Sequence, residues 1–173
     1  MALAAPALTQ EQQAFWRRWV GLNTGLSGAL NRRLQEHSGL SLQDFEVLRQ
    51  LHDSPRRRVR IRDLAQALGW ERSRLSHHLT RMVNRGLVER TECHDDGRGA
   101  FELLTTAGAT ALECAAPAHA AIVNDLLFEG LGPDELDVLL GFTARVLGRL
   151  ATADQATADQ ATGDQATGDR AAT

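Results

Sequence analysis

The chain has 173 residues, 43% hydrophobic and 24% charged, which is room for one folded domain with a core and a tail. No apolar run approaches the ~20 residues of a membrane span, the start MALAAPALTQEQQAF lacks the basic flank of a signal peptide, and two cysteines cannot build a disulfide framework. A cytoplasmic protein is expected. The net charge of −3 is unevenly spread. Residues 55–100 carry eleven arginines against six acids (+5), whereas residues 101–150 carry two against seven (−5). A basic middle between neutral and acidic flanks points to a polyanionic partner for that segment, although a solvated basic face gives the same count.

From Thr9 to about Glu36, Phe15, Trp19, Leu22, Leu26, Leu30 and Leu34 recur at steps of three or four, the signature of an amphipathic helix. Gly21, Gly25 and Gly28 weaken such a helix, and close packing against another helix is the expected reason for them. A second helix follows in GLSLQDFEVLRQLHDSP, capped by Ser41 and closed before Pro55. The run Arg56, Arg57, Arg58 and Arg60 can either reach backbone phosphates or form a solvated loop, and the residues alone leave both open. IRDLAQALG is a short third helix stopped by Gly69.

The fourth helix, about Glu71 to Arg85, has a narrow apolar stripe of Leu75, Leu79 and Met82. Opposite it lie Ser73, His77, Thr80, Arg81 and Asn84, with Arg74 and Ser76 at the borders, a basic, donor-rich face short of acids; of these, all but Asn84 are candidate DNA contacts together with Arg72. An ordinary surface helix mixes Glu with Arg for pairing, whereas this face suits a groove lined by phosphates and base edges. LVERTEC and AFELLT then alternate like strands around HDDGRG, a turn tipped by Arg98. Two more helices are expected, Thr106 to Phe128 with a break or bend near Pro117, and Pro133 to Leu150 with a broad leucine stripe. The tail ATADQATADQATGDQATGDRAAT repeats every five residues, matches neither helix nor strand periodicity, and is expected to be disordered.

Helices three and four with the short connection LGWERS form a helix-turn-helix, and the hairpin is its wing. The stretches LSLQDFEVLRQL, IRDLAQALGW, SRLSHHLTRMVNRGLVER, DDGRG and LTTAGATAL together resemble the MarR family of transcriptional regulators. His77 stands where many members carry Arg, and the pentad tail belongs to no family pattern. The resemblance implies a mainly α fold with a small β-hairpin wing, a winged helix-turn-helix with N- and C-terminal dimerisation helices. Its parts would be residues 1–36 and 105–150 for dimerisation, 37–104 for the DNA-binding lobe, and 151–173 as the tail. It further implies a homodimer on double-stranded, palindromic DNA, with the fourth helix in the major groove and Arg98 at the minor groove. A repressor released by a small anionic or phenolic effector is expected, with Trp19, Phe45, Glu46 and Arg90 as candidate ligand contacts.

Other readings are weaker. No phosphate loop, GxSxG elbow or HExxH is present, so an enzyme is not expected. No cofactor is implied, and Cys93, His94 and Asp95 are a poor metal set. Cys114 is expected to be buried and inert, and Trp16, Trp19 and Trp70 to pack in the core or a dimer interface. The main rival is a winged helix turned protein-interaction module, which would favour an acidic or apolar fourth helix.

Overall fold

The computed structural model describes residues 7–92 and 100–168. It divides into two compact units, one ending at Leu127 and one beginning at Phe128. The first contains α1 (Gln10–Ser38), α2 (Leu42–His52), β1 (Arg58–Arg60), α3 (Ile61–Leu68), α4 (Arg72–Asn84), β2 (Val88–Glu92), β3 (Ala100–Leu104) and α5 (Thr106–Val123). The second contains α6 (Pro133–Gly168), and a π-helical turn covers Asn124–Phe128.

Local chemistry sets the element ends. Thr9 and Ser41 each form a reciprocal capping box, with Gln12 and Asp44 respectively. Gly69 closes α3 in the left-handed region at φ +64°, which lets the chain turn directly into α4. The core of the first unit is built from Leu34, Leu48, Leu51, Leu64, Leu75 and Leu79, all fully buried, so the helix-turn-helix shares one core with α1 and α2. α5 packs on both α1 and α2.

The sheet is three-stranded and antiparallel in the order β1-β3-β2, with Arg58 opposite Leu103 and Arg90 opposite Glu102. The short edge strand β1 has no period-two signature in the sequence; it forms because β3 offers it a ladder of unpaired backbone groups. Thr105 ties the sheet to the helices. Its hydroxyl donates to Gly86 O and accepts from Gly108 N, both within 2.9 Å. Gly108 sits so close that a Cβ there would meet Leu87 O at 2.0 Å.

Several expectations need correction. The helix through Pro117 is unbroken to Val123; the lost amide donor costs one bond in an alanine-rich stretch but does not end it. Cys114 is exposed, because the buried stripe of α5 runs through Leu112 and Ala115 and leaves position 114 outside. Among the described residues of one subunit, nothing lies within 4 Å of where a Cβ would stand on Gly21 or Gly25. The tail from Ala151 continues α6 as far as Gly168, instead of being irregular. Lacking large apolar side chains prevents burial, but alanine and glutamine favour helix without it.

Candidate nucleic-acid interface

α4 is held by its inner face. Leu75, Leu79 and Met82 are fully buried, which turns the opposite face outward. There Arg72, Ser73, Arg74, His77, Thr80 and Arg81 are exposed and Ser76 is half-buried. The helix contains no acid; Glu71 stands at its N-cap position and makes no side-chain capping bond. Thr80 returns its hydroxyl to Ser76 O at 3.0 Å. Arg72, Arg74, His77 and Arg81 make this exposed face a donor-rich surface.

Behind that surface lies a polar network without an obvious signature in the sequence. Asp44, in the first turn of α2, is 4% exposed. One of its oxygens accepts from Ser41 N at 3.0 Å and from Arg85 Nη1 at 2.7 Å. Arg85 also donates to Gly39 O at 3.1 Å, so the end of α4 is fastened to the α1–α2 junction. The other oxygen lies 3.0 Å from His78 Nε2, a close polar contact that is out of line for a full hydrogen bond. Burial works to raise the Asp44 pKa, but His78, Arg85 and Ser41 together outweigh it and hold the carboxyl well below the usual range.

The network reaches the outer face through two arginines. Arg81 Nη2 is 3.0 Å from His78 Nδ1. Arginine can only donate, so Nδ1 accepts and the proton of a neutral His78 belongs on Nε2, towards Asp44. The Arg74 guanidinium lies 4.8 Å over the Trp70 ring, and Trp70 meets His78 edge-on at 5.5 Å. Trp70 is thus a platform for Arg74 as well as a packing residue. These groups line a cleft of about 640 Å³ together with Gln35, Ser41 and Gln43. The sequence signal for His78 was its place three residues after Leu75, within the buried stripe, where a polar residue needs a partner.

The strands of the hairpin form as expected, but its turn falls outside the described residues, and with it Cys93, His94, Asp95, Asp96 and Arg98. Arg90 donates from Nε to Glu102 Oε1 at 2.7 Å, across the sheet to a fully buried carboxylate. The four candidate effector contacts are Arg90, Phe45, Trp19 and Glu46. Arg90 is committed to Glu102. Phe45 is in the core, stacked on His119 at 4.3 Å, and Trp19 stacks on Phe15 at 5.9 Å. Glu46 is half-buried, and desolvation raises its pKa against the opposing charges of Arg49 and Arg74. Among the described residues no three metal-ligating side chains cluster, and no helix is long and apolar enough to cross a membrane.

Both units expose large apolar side chains. On α1 these include Phe15 and Trp16, each at least half exposed, beside a cleft of about 470 Å³ that Leu8 also lines. On α6 they include Val138 at 70% and Leu147 at 65%.

A sequence profile of the MarR family matches residues 38–99. Among solved structures, the chain is similar to AbsC, a MarR family transcriptional regulator from Streptomyces coelicolor, at 36% identity over 84% of this chain and 98% of that one, with a TM-score of 0.77. Sco3205, a MarR family regulator from the same organism in complex with DNA, matches at 36% identity over 83% of this chain and 90% of that one, TM-score 0.76. A mutant MarR from E. coli, complexed with operator DNA, matches at 26% identity over 82% and 99%, TM-score 0.70. No curated protein matches the chain.

Proposed function

This chain belongs to the MarR family of transcriptional regulators, and from that premise we propose that it is a repressor which binds a palindromic duplex operator as a homodimer and is released by a small ligand. The observation that carries the DNA-binding part is the outer face of α4, where Arg72, Arg74, His77 and Arg81 stand exposed with no acid on the helix. A face so short of negative charge gains most from a phosphate-lined groove. Arg74, in the first turn, is assigned to base edges, where a guanidinium reads guanine bidentately. Ser73, Ser76 and Thr80 are assigned mainly to phosphates, and Arg98 to the minor groove beside the hairpin.

The homodimer is supported by the exposed Phe15 and Trp16 on α1 and by Val138, Leu139, Leu140 and Leu147 on α6. Apolar side chains in such number on a monomer surface call for a covering partner. Two-fold symmetry then places two copies of α4 on half-sites about one helical turn apart, which makes the operator palindromic. An anionic or phenolic ligand in the cleft beside Trp70 would meet Arg74 and Arg81 directly, and so compete with DNA for the same cations.

Selection of bound duplexes from a random pool tests the proposal. The expected product is an inverted repeat; direct repeats or isolated half-sites would rule out the symmetric dimer. A winged helix used only for protein contacts would yield no enriched sequence and no steep fall of affinity with salt.

A further inference from the structure

The turn between α2 and β1 holds two consecutive arginines in the left-handed region, Arg56 at φ +58° and Arg57 at φ +52°. Side chains with a Cβ rarely adopt this conformation, and glycine or asparagine would suit it better. The turn is well anchored. Arg57 N donates to Ser54 O at 3.0 Å, the Ser54 hydroxyl donates to Gln50 O, and Pro55 leads in with its fixed φ. Yet neither arginine side chain belongs to the core. Both are exposed, and neither has a hydrogen bond or ion pair with any described residue. The nearest acids in the chain are engaged elsewhere, Asp53 with His52 and Asp63 with Arg62. Strain held at solvent-facing positions with no packing return is the pattern of a functional loop.

The next arginine is held differently. The Arg58 guanidinium lies 4.4 Å over the Phe101 ring of β3, with Arg60 at 5.3 Å from the same ring. Stacking fixes the plane of a guanidinium while leaving its N–H edge available to an oxygen. β1 is the edge strand of the wing sheet and runs straight into α3. α3 is the first helix of the helix-turn-helix, the one that crosses the DNA backbone while the second enters the groove.

We propose that Arg56, Arg57 and Arg58 form a separate phosphate-binding element, gripping the duplex backbone at the flank of α3, outside both the fourth helix and the hairpin. It adds affinity without sequence preference, because charges on an exposed turn meet the backbone, which carries no sequence information. The proposal rests on the duplex-binding reading above, and its test separates the two.

Binding of a fluorescent duplex carrying the selected operator, and of a scrambled one, is titrated across a series of salt concentrations. The variant Arg56→Gly with Arg57→Gly should fold at least as firmly as the parent, because glycine is at ease at positive φ. Losing two phosphate contacts in each protomer, four in the homodimer, should lower the slope of log affinity against log salt by about 3.6, taking ~0.9 per contact. Affinity should fall about tenfold or more at moderate salt, equally on both duplexes. Arg56→Lys with Arg57→Lys should restore the slope, and Arg56→Gln with Arg57→Gln, which keeps side chains of similar length, should not. Unchanged slopes in the glycine and glutamine variants, with the parent binding normally, overturn this inference alone. The same holds if neutralising Arg17 and Arg18 on α1 lowers the slope equally, since the effect is then one of net charge. If the parent shows no salt-dependent duplex binding, the underlying reading fails and this one with it.

Discussion

Replacing Asp44 should reveal how firmly α4 is fastened to the rest of the lobe. Three contacts are lost in Asp44→Ala. The bond from Ser41 N closes the capping box of α2, and such a cap contributes about 1 kcal/mol. The 2.7 Å bond from Arg85 is charge-assisted, but that side chain is 44% exposed, so solvent screening reduces it to about 1 kcal/mol. His78 Nε2 loses a close but misaligned carboxylate, at a cost of about 1 kcal/mol or less. Because the contacts share one carboxylate they are not additive, and about 2–3 kcal/mol is expected in all. Asp44→Asn keeps a capping oxygen and should cost about 2 kcal/mol.

The pH dependence identifies the charge as the cause. The folded-state pKa of Asp44 is depressed, so on acidification the unfolded chain takes up this proton first. The stabilisation is therefore complete above the unfolded value of about 3.9 and is lost as the pH falls below it towards the folded one. The gap between parent and Asp44→Asn should be constant from about pH 7 to 5 and about 1 kcal/mol narrower at pH 3. Urea denaturation at one protein concentration measures this, since concentration shifts the midpoint of any oligomer. A gap below about 1 kcal/mol at pH 7, or one that does not narrow on acidification, would refute the reasoning.

Arg74→Ala should cost about 1–3 kcal/mol on the best operator and relax preference at one symmetric base pair; an equal loss on scrambled duplex would make Arg74 a phosphate contact. Arg98→Ala should weaken binding to many sequences together and reduce the salt slope, with changed preference mainly at A·T-rich flanks; unaltered titrations would mean that the hairpin is not a DNA-binding wing. Gly108→Ala should lower the thermal midpoint sharply, because the new methyl meets a backbone carbonyl at 2.0 Å and overpacking of this kind costs about 3 kcal/mol or more; a midpoint within two or three degrees of the parent would show that α5 can shift. Removal of residues 151–173 should leave duplex affinity unchanged, since the segment is acidic and lacks large apolar side chains; a large loss in the same titration would assign it a role in binding.

The periodicities read directly from the chain were enough to locate most elements, because a helix that buries one face must repeat its apolar residues every three or four positions. Leu75, Leu79 and Met82 marked α4 in this way, and their burial turned its arginines outward as expected. Capping chemistry is equally local, so Ser41 and Gly69 announced their helix ends. Contacts between residues far apart in sequence left no such trace. The strand β1 exists only because β3 pairs with it, and the turn before it became distinctive only when Arg56 and Arg57 were placed at positive φ. The link from Asp44 to Arg85 spans 41 residues, and nothing in the spacing of the two indicates it. Arg90, expected to face a ligand, lies opposite Glu102 because strand register, which depends on both strands at once, set them side by side. Local pattern determined which faces point inward; the three-dimensional pairing of distant segments decided which polar groups those faces hold together.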